Sequence, residues 1–207
     1  MLKERILEQA GKLFYLYGIK NVSMDDLAST LGVSKRTIYE NFKDKEDILN
    51  SFLMSVKEKR DKLFAKYVDE SSDTIEIFLK IIEYHSKNEM PAVKFYEDIF
   101  KYYPNIHQKI LADTKLNKLH FRNFLKQGVE QGYFRDDLNI DIVAFLVEQN
   151  NYTFMRAAFM REAYVEKPSF SHNELFFNMM INFIRGVSTH KGIEIIDEYL
   201  SRKNETK

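Results

Sequence analysis

The chain has 207 residues, of which 44% are hydrophobic and 30% charged, and its 31 basic residues are balanced by 31 acidic ones. Because a protein that coats nucleic acid is usually basic overall, any DNA contact here must come from a local patch. The absence of cysteine excludes disulfides, thiolate metal sites and a cysteine nucleophile, and the scarcity of Gly and Pro favours an all-α chain.

Four helices are predicted in the first 60 residues. The first carries apolar residues at helical spacing over 6–17 and ends at Gly18, which suits a C-terminal cap. Ser23, Ser34 and Asp44 are the predicted N-caps of the second, third and fourth helices. The second and third of these helices are short, and Gly32 separates them.

The rest of the chain is also predicted to be helical, and it is richer in aromatic residues. Each further helix begins at a capping residue or a proline: Asp73, Pro91, Pro104, Asn139 and Ser171. Asp73 and Ser171 are each followed three residues later by a glutamate, which predicts a capping box at both helix starts. Gly132 is expected to end the helix that Pro104 opens. The segment 166–171 is predicted to be a loop, and a last helix through Ile193 and Leu200 leads to a polar, frayed tail.

The segment from Ser23 to Phe42 carries the functional signal. Two short helices separated by a turn containing Gly32 and Val33 have the layout of a helix-turn-helix. Glycine suits this turn because the backbone there can require a positive φ. The outward face of the second short helix carries donors and acceptors that can reach base edges and phosphates: Ser34, Lys35, Arg36, Thr37 and Asn41.

The order and spacing of five motifs resemble those of the TetR family of transcriptional regulators. The chain reads Phe14-Tyr-Leu-Tyr-Gly18, then Ser23-Met-Asp-Asp-Leu-Ala28 and Gly32-Val-Ser34. It continues with Thr37-Ile-Tyr-Glu-Asn-Phe42 and Lys43-Asp-Lys-Glu-Asp-Ile-Leu49. These match the family's helix-ending Tyr/Phe-Gly pair, its T/S-x-x-D/E-L/I-A helix, its G-V-S turn, its T-I/L-Y-x-H/N-F recognition helix and the following K-D/S-K-E-x-L segment.

The resemblance implies an all-α fold with two domains. Residues 1–45 would form the three-helix DNA-binding domain, and residues 46–207 a larger helical domain for ligand binding and dimerisation. It also implies a homodimer that binds a palindromic operator on double-stranded DNA and usually represses. A small-molecule effector would favour a state in which the two recognition helices are too far apart for the operator.

Eight residues are predicted to contact DNA: Ser23, Ser34, Lys35, Arg36, Thr37, Tyr39, Asn41 and Lys45. Lys45 resembles the family's phosphate-contacting lysine at the start of the fourth helix. Tyr39 has two compatible interpretations, a ring that packs on the first helix and a hydroxyl that reaches a phosphate. Because Glu40 and Asp44 repel phosphate, we expect modest non-specific affinity and reliance on a dimer and specific contacts.

The aromatic content beyond residue 60 admits two interpretations. It can form a plain core with a dimer seam, or it can line a ligand cavity together with a few polar groups. The candidate ligand-binding residues are Tyr84, Phe95, Tyr96, Phe100, Phe121, Phe124, Gln149, Tyr152 and Met155. The polar run 149–151 belongs either to the dimer seam or to the pocket.

The homodimer is expected to use the helices of about 139–163 and 171–189, since both are apolar on nearly every side. The alternatives are a ligand-independent regulator or activator of the same fold, an enzyme on a helical bundle, and a structural adaptor. No metal site is predicted, because the five histidines have no metal-binding spacing. No cofactor or catalytic residue is predicted either. Without a signal peptide or a membrane span in the sequence, we expect a soluble cytoplasmic protein.

Overall fold

The computed structural model describes residues 2–71, 73–88, 93–147 and 170–205, and within these ranges the chain is helical. Its one isolated β-bridge in the described residues joins Phe134 to Ser188. The all-α prediction is confirmed. The helices are α1 (Leu2–Tyr17), α2 (Met24–Leu31), α3 (Lys35–Tyr39), α4 (Lys45–Glu70), α5 (Thr74–Lys87), α6 (Val93–Tyr102), α7 (Pro104–Glu130), α8 (described over 140–147), α9 (His172–Val187) and α10 (His190–Glu205).

One compact unit comprises Met1–Lys62 together with Met90–Asp113. Its core contains the buried faces of α1, α2, α3 and the first part of α4. Phe95, Ile99 and Ile106 from α6 and α7 belong to the same core. This unit therefore extends beyond the helix-turn-helix, while the functional domains 1–45 and 46–207 remain predictions.

The second compact unit comprises Leu63–Glu89 and Thr114–Lys207. Its central helix is α5, against which α9 and α10 pack. Gly128 of α7 lies so close to the ring of Phe134 that an added Cβ would approach that ring to 2.3 Å. The turn after α7 is tied to the start of α10, since the amide of Thr189 donates to the carbonyl of Tyr133 at 2.9 Å.

Most helix starts lie where the sequence predicted them. The side chains of Ser23, Ser34, Asp44, Asn139 and Ser171 all accept amide N–H groups at the helix starts that they were predicted to cap.

Two details differ from the predictions made from the sequence, and a third prediction falls on residues that the structure does not describe. Asp73 caps α5, but the Glu76 carboxylate accepts the hydroxyl of Ser71 instead of completing a capping box. The tail expected to fray is helical as far as Glu205. Pro91 and residues 166–169 of the predicted loop lie outside the described residues.

Candidate nucleic-acid interface

Reciprocal hydrogen bonds fix the start of α2. The Ser23 hydroxyl oxygen accepts the amide N–H of Asp26 at 3.1 Å, and the Asp26 carboxylate accepts the amide N–H of Ser23 at 2.8 Å. The hydrogen bonds from Ser23 hold the pKa of the Asp26 carboxyl below its usual value. The cap satisfies amides that would otherwise lack partners at the helix end.

The turn between α2 and α3 depends on Gly32, whose φ of 66° lies in the left-handed region. The amide of Val33 donates to the carbonyl of Ala28 at 3.1 Å, and the amide of Gly32 donates to that of Ser29 at 3.2 Å. This pair of bonds is a Schellman motif. It ends α2 at a defined angle and leads directly to Ser34, the N-cap of α3.

The recognition helix α3 is anchored on one side and open on the other. Ile38 is fully buried and Phe42 is 2% exposed, so these two residues hold α3 to the core. The Ser34 hydroxyl accepts the amide of Thr37 at 3.0 Å, and the Asn41 side-chain amide donates to the carbonyl of Thr37 at 2.8 Å. The structure thus brings the predicted base-reading residues together on one small surface.

Both cations of α3 are paired with carboxylates of the same chain. The Lys35 ammonium lies 2.8 Å from the Asp25 carboxylate, a hydrogen bond that raises the pKa of Lys35. Arg36 lies 3.1 Å from Glu40, and its side chain is 89% exposed. Exposed pairs of this kind contribute little stability, so either cation can leave its carboxylate for another partner at small cost.

Tyr39 and Lys45, the other predicted phosphate contacts, have different surroundings. Tyr39 is 48% exposed, and its ring belongs neither to the buried core nor to the side chains packed against that core. The partly buried Lys45 ammonium donates to the carbonyls of Ile19 and Val22, each at 2.8 Å. Burial lowers the pKa of Lys45, although the negative charges of Asp98 and Asp26 act in the opposite direction.

Asp98 is a buried polar residue of this unit that the sequence reasoning missed. Its side chain is 4% exposed, and its carboxylate accepts the amide N–H of Lys20 at 2.7 Å. A signal was present, because Asp98 stands three residues after Phe95 and one before Ile99, on the apolar face of α6. A carboxylate on an apolar face needs a partner inside the fold.

Six of the nine candidate ligand residues are described, and they divide equally between the two units. Phe95 and Tyr96 lie in the first unit, where the Phe95 ring meets those of Tyr15 and Tyr96 edge-on. Phe100, in the same unit, is 70% exposed and meets the ring of His107.

The other three described candidates lie in the second unit. The rings of Phe121 and Phe124 both lie 6.1 Å from that of Phe78, measured between centroids. Tyr84 meets the rings of Phe64 and His85 edge-on. Gln149, Tyr152 and Met155 lie outside the described residues.

No group of three or more His, Asp or Glu side chains among the described residues is placed to hold a metal ion. None of the described helices combines the length and apolar character needed to cross a bilayer.

Comparison with known proteins decides the family. The family model described as bacterial regulatory proteins of the tetR family matches residues 6–52, which span α1 to the first part of α4. The transcriptional regulator SAR2658 of Staphylococcus aureus (strain MRSA252) is 31% identical over 147 residues, 59% of this chain and 80% of the relative. The chain belongs to the TetR family. It is a DNA-binding transcriptional regulator, and α2 and α3 are its helix-turn-helix.

Two further proteins extend the similarity beyond the helix-turn-helix. The repressor KstR2 of Mycobacterium tuberculosis (strain H37Rv) is 25% identical over 167 residues, 73% of this chain and 78% of the relative. The solved structure of the M. tuberculosis ketosteroid regulator KstR2 superposes with a TM-score of 0.65 at 19% identity, covering 92% of this chain and 96% of that one. The fatty acid degradation regulator FadR of Bacillus halodurans has a TM-score of 0.65 at 18% identity, covering 88% and 94%.

Proposed function

We propose that this TetR-family regulator is a repressor that binds a palindromic operator as a homodimer and is released by a small, largely apolar or aromatic ligand. The observation that carries the DNA-binding part is the open face of α3, held to the core by Ile38 and Phe42. Helices presented in this way enter the major groove with their first residues at the base edges. The proposal assigns the protein no catalytic residue, metal or cofactor.

We assign base reading to the exposed start of α3 and phosphate contact to the residues around it. Lys35, Arg36, Thr37 and Asn41 would meet base edges, because arginine pairs with guanine through two hydrogen bonds and the threonine methyl can meet that of thymine. The Tyr39 hydroxyl is the proposed phosphate contact, and Ser23 and Ser34 are proposed DNA contacts at the helix N-caps. The Lys45 ammonium, which donates to the carbonyls of Ile19 and Val22, is assigned to the turn before α2 instead of to a phosphate.

A genome-wide DNA pull-down with the purified full-length protein tests the repressor proposal. We expect a short set of sites with two symmetry-related half-sites about one helical turn, or a multiple of it, apart. The recovered operator identifies the regulated genes. Recovery of DNA without any common sequence would contradict sequence-specific repression.

The aromatic side chains of the second unit support an apolar effector. Phe78, Phe121 and Phe124 lie face to face or tilted, and Phe64, Tyr84 and His85 form a second cluster. Sites for apolar ligands are lined by such rings with few polar groups. Two relatives are described as regulators of ketosteroids and of fatty acid degradation, which points to effectors of similar apolar character.

Operator release in the presence of candidate effectors tests the proposed release by an apolar or aromatic ligand. Purified protein on labelled operator is titrated with a sterol-like compound, a long-chain fatty acyl compound and a polar sugar of similar mass as a control. We expect one of the apolar compounds to lower operator affinity, because an effector that binds more tightly to the state with widely separated recognition helices shifts the protein towards that state. The size of the shift is set by the difference in affinity for the two states. Operator binding that no compound changes would favour the ligand-independent alternative.

A further inference from the structure

The turn between α1 and α2 is held by side chains from two other helices. It runs from Gly18 to Val22 and leads directly to the N-cap of α2. From α4, the Lys45 ammonium donates to two of its carbonyls, those of Ile19 and Val22, each at 2.8 Å. From α6, the Asp98 carboxylate accepts the amide N–H of Lys20 at 2.7 Å.

Both side chains are placed where their charges match the backbone. A cation faces carbonyl oxygens and an anion faces an amide, so each charged group receives the hydrogen bonds that its burial requires. Asp98 is 4% exposed, and Ile19 and Val22 are 0% and 2% exposed, so water has little access to replace a missing partner.

α6 also approaches the turn closely at Gly18. The φ of Gly18 is 79°, and a Cβ at that position would lie 2.8 Å from Cγ of Lys94 and 3.0 Å from Oδ2 of Asp98. The turn and α6 therefore pack directly against each other within the same compact unit. A substitution at Asp98 should alter the backbone of the turn.

We propose that Lys45 and Asp98 together clamp the turn Gly18–Val22, and that Asp98 is thereby a positioning residue for operator binding although it lies outside the helix-turn-helix. The clamp ends at Val22, and Ser23, which follows, sets the start of α2. The Schellman turn at Gly32 then transmits the placement of α2 to α3. The ammonium of Lys45 acts on the turn, and its effect on DNA passes through the position of α2. This inference rests on the proposed operator binding.

Operator affinity and its salt dependence test the clamp. Asp98→Ala removes the acceptor, whereas Asp98→Asn keeps an oxygen of the same shape for the Lys20 amide. Glu97→Gln, which removes one negative charge from an exposed neighbour on α6, is the matched control. Lys45→Met removes the ammonium, and Lys43→Met removes an exposed lysine close to the same helix start.

We expect Asp98→Ala and Lys45→Met to lower operator affinity by about tenfold or more, because each leaves a backbone group of the turn unpaired. Asp98→Asn should recover most of the loss at Asp98, and Glu97→Gln should bind like the parent. The slope of log affinity against log salt should stay at the parental value in Lys45→Met. Amide exchange at Lys20 should accelerate in Asp98→Ala while the amides in the middle of α1, which belongs to the same compact unit, keep their protection. This separates a local effect from unfolding of that unit.

Three results would overturn the clamp. The first is parental operator affinity in Asp98→Ala, and the second is an equal loss of affinity in Glu97→Gln. The third is a salt slope that flattens in Lys45→Met by about 0.9 for each phosphate that the ammonium would neutralise, since this would assign the ammonium to DNA. Failure of the parent protein to bind any operator would instead contradict the proposed function itself.

Discussion

At the scale of single residues, the cations proposed to face DNA are held by carboxylates of their own chain. Lys35 is paired with Asp25 and Arg36 with Glu40, both at the surface. Such exposed pairs contribute little stability, whereas a two-pronged contact to the right base contributes about 1–3 kcal/mol of discrimination. We therefore expect the acidic partners to reduce binding to arbitrary DNA more than binding to the operator.

Arg36→Ala should relax the sequence preference at one base pair in each half-site. The loss of a two-pronged pair with guanine should reduce discrimination at that position by about 1–3 kcal/mol. A binding-site selection with the variant and the parent measures this directly, and the two affected positions should be related by the symmetry of the operator. An unchanged motif with uniformly weaker binding would place Arg36 on a phosphate instead.

Glu40→Gln should strengthen binding to non-specific DNA. The change frees Arg36, which lies 3.1 Å from the Glu40 carboxylate, and removes a charge that repels phosphate. Titration of random-sequence duplex at low salt measures the effect, which high salt should diminish. Glu58→Gln, which breaks a similar exposed pair with Lys62 outside the helix-turn-helix, is the control. Equal gains in both variants would indicate a general effect of net charge.

At the scale of helices, the sequence predicts those features that depend on residues close together in the chain. The caps at Ser23, Ser34 and Ser171 follow from residue types within one turn of the helix, and the chain order of motifs identified the helix-turn-helix. The clamp could not be predicted in this way, since Lys20 and Asp98 stand 78 residues apart. Only tertiary packing brings them together. The same holds for the inclusion of α6 in the first unit.

The turn between α2 and α3 should be sensitive to a methyl group at Gly32 even though nothing crowds that position. Gly32→Ala forces an alanine to a φ of 66° with no atom within 4 Å to clash, so the expected cost of about 1–2 kcal/mol is backbone strain alone. Gly186→Ala is the control, because Gly186 lies within α9, has open space around it and should gain about 0.4–1 kcal/mol. Denaturant unfolding of both variants measures the difference in the free energy of unfolding. A neutral Gly32→Ala would mean that the turn relaxes out of the left-handed region.

At the scale of the whole molecule, α8 needs a partner surface. Val143 and Val147 form its buried side in the described segment. Ile142, Phe145 and Leu146 lie on another side and are 56%, 57% and 44% exposed. A helix that is apolar on opposite sides is stable in water only when both are covered. This supports the predicted homodimer through 139–163 and 171–189, of which residues 148–169 lie outside the described part of the chain.

Phe145→Glu should therefore weaken self-association and, with it, operator binding. A carboxylate on the exposed stripe of α8 would have to be buried without a partner in a dimer that uses this surface. Light scattering at micromolar concentration should give a dimer mass for the parent and a monomer mass for the variant, and operator affinity should fall in parallel because two half-sites are no longer bound together. Phe100→Glu changes another exposed phenylalanine, in the first compact unit, and should leave the dimer mass intact. A Phe145→Glu protein that remains dimeric would exclude this stripe from the interface, and a monomeric parent would contradict the dimer itself.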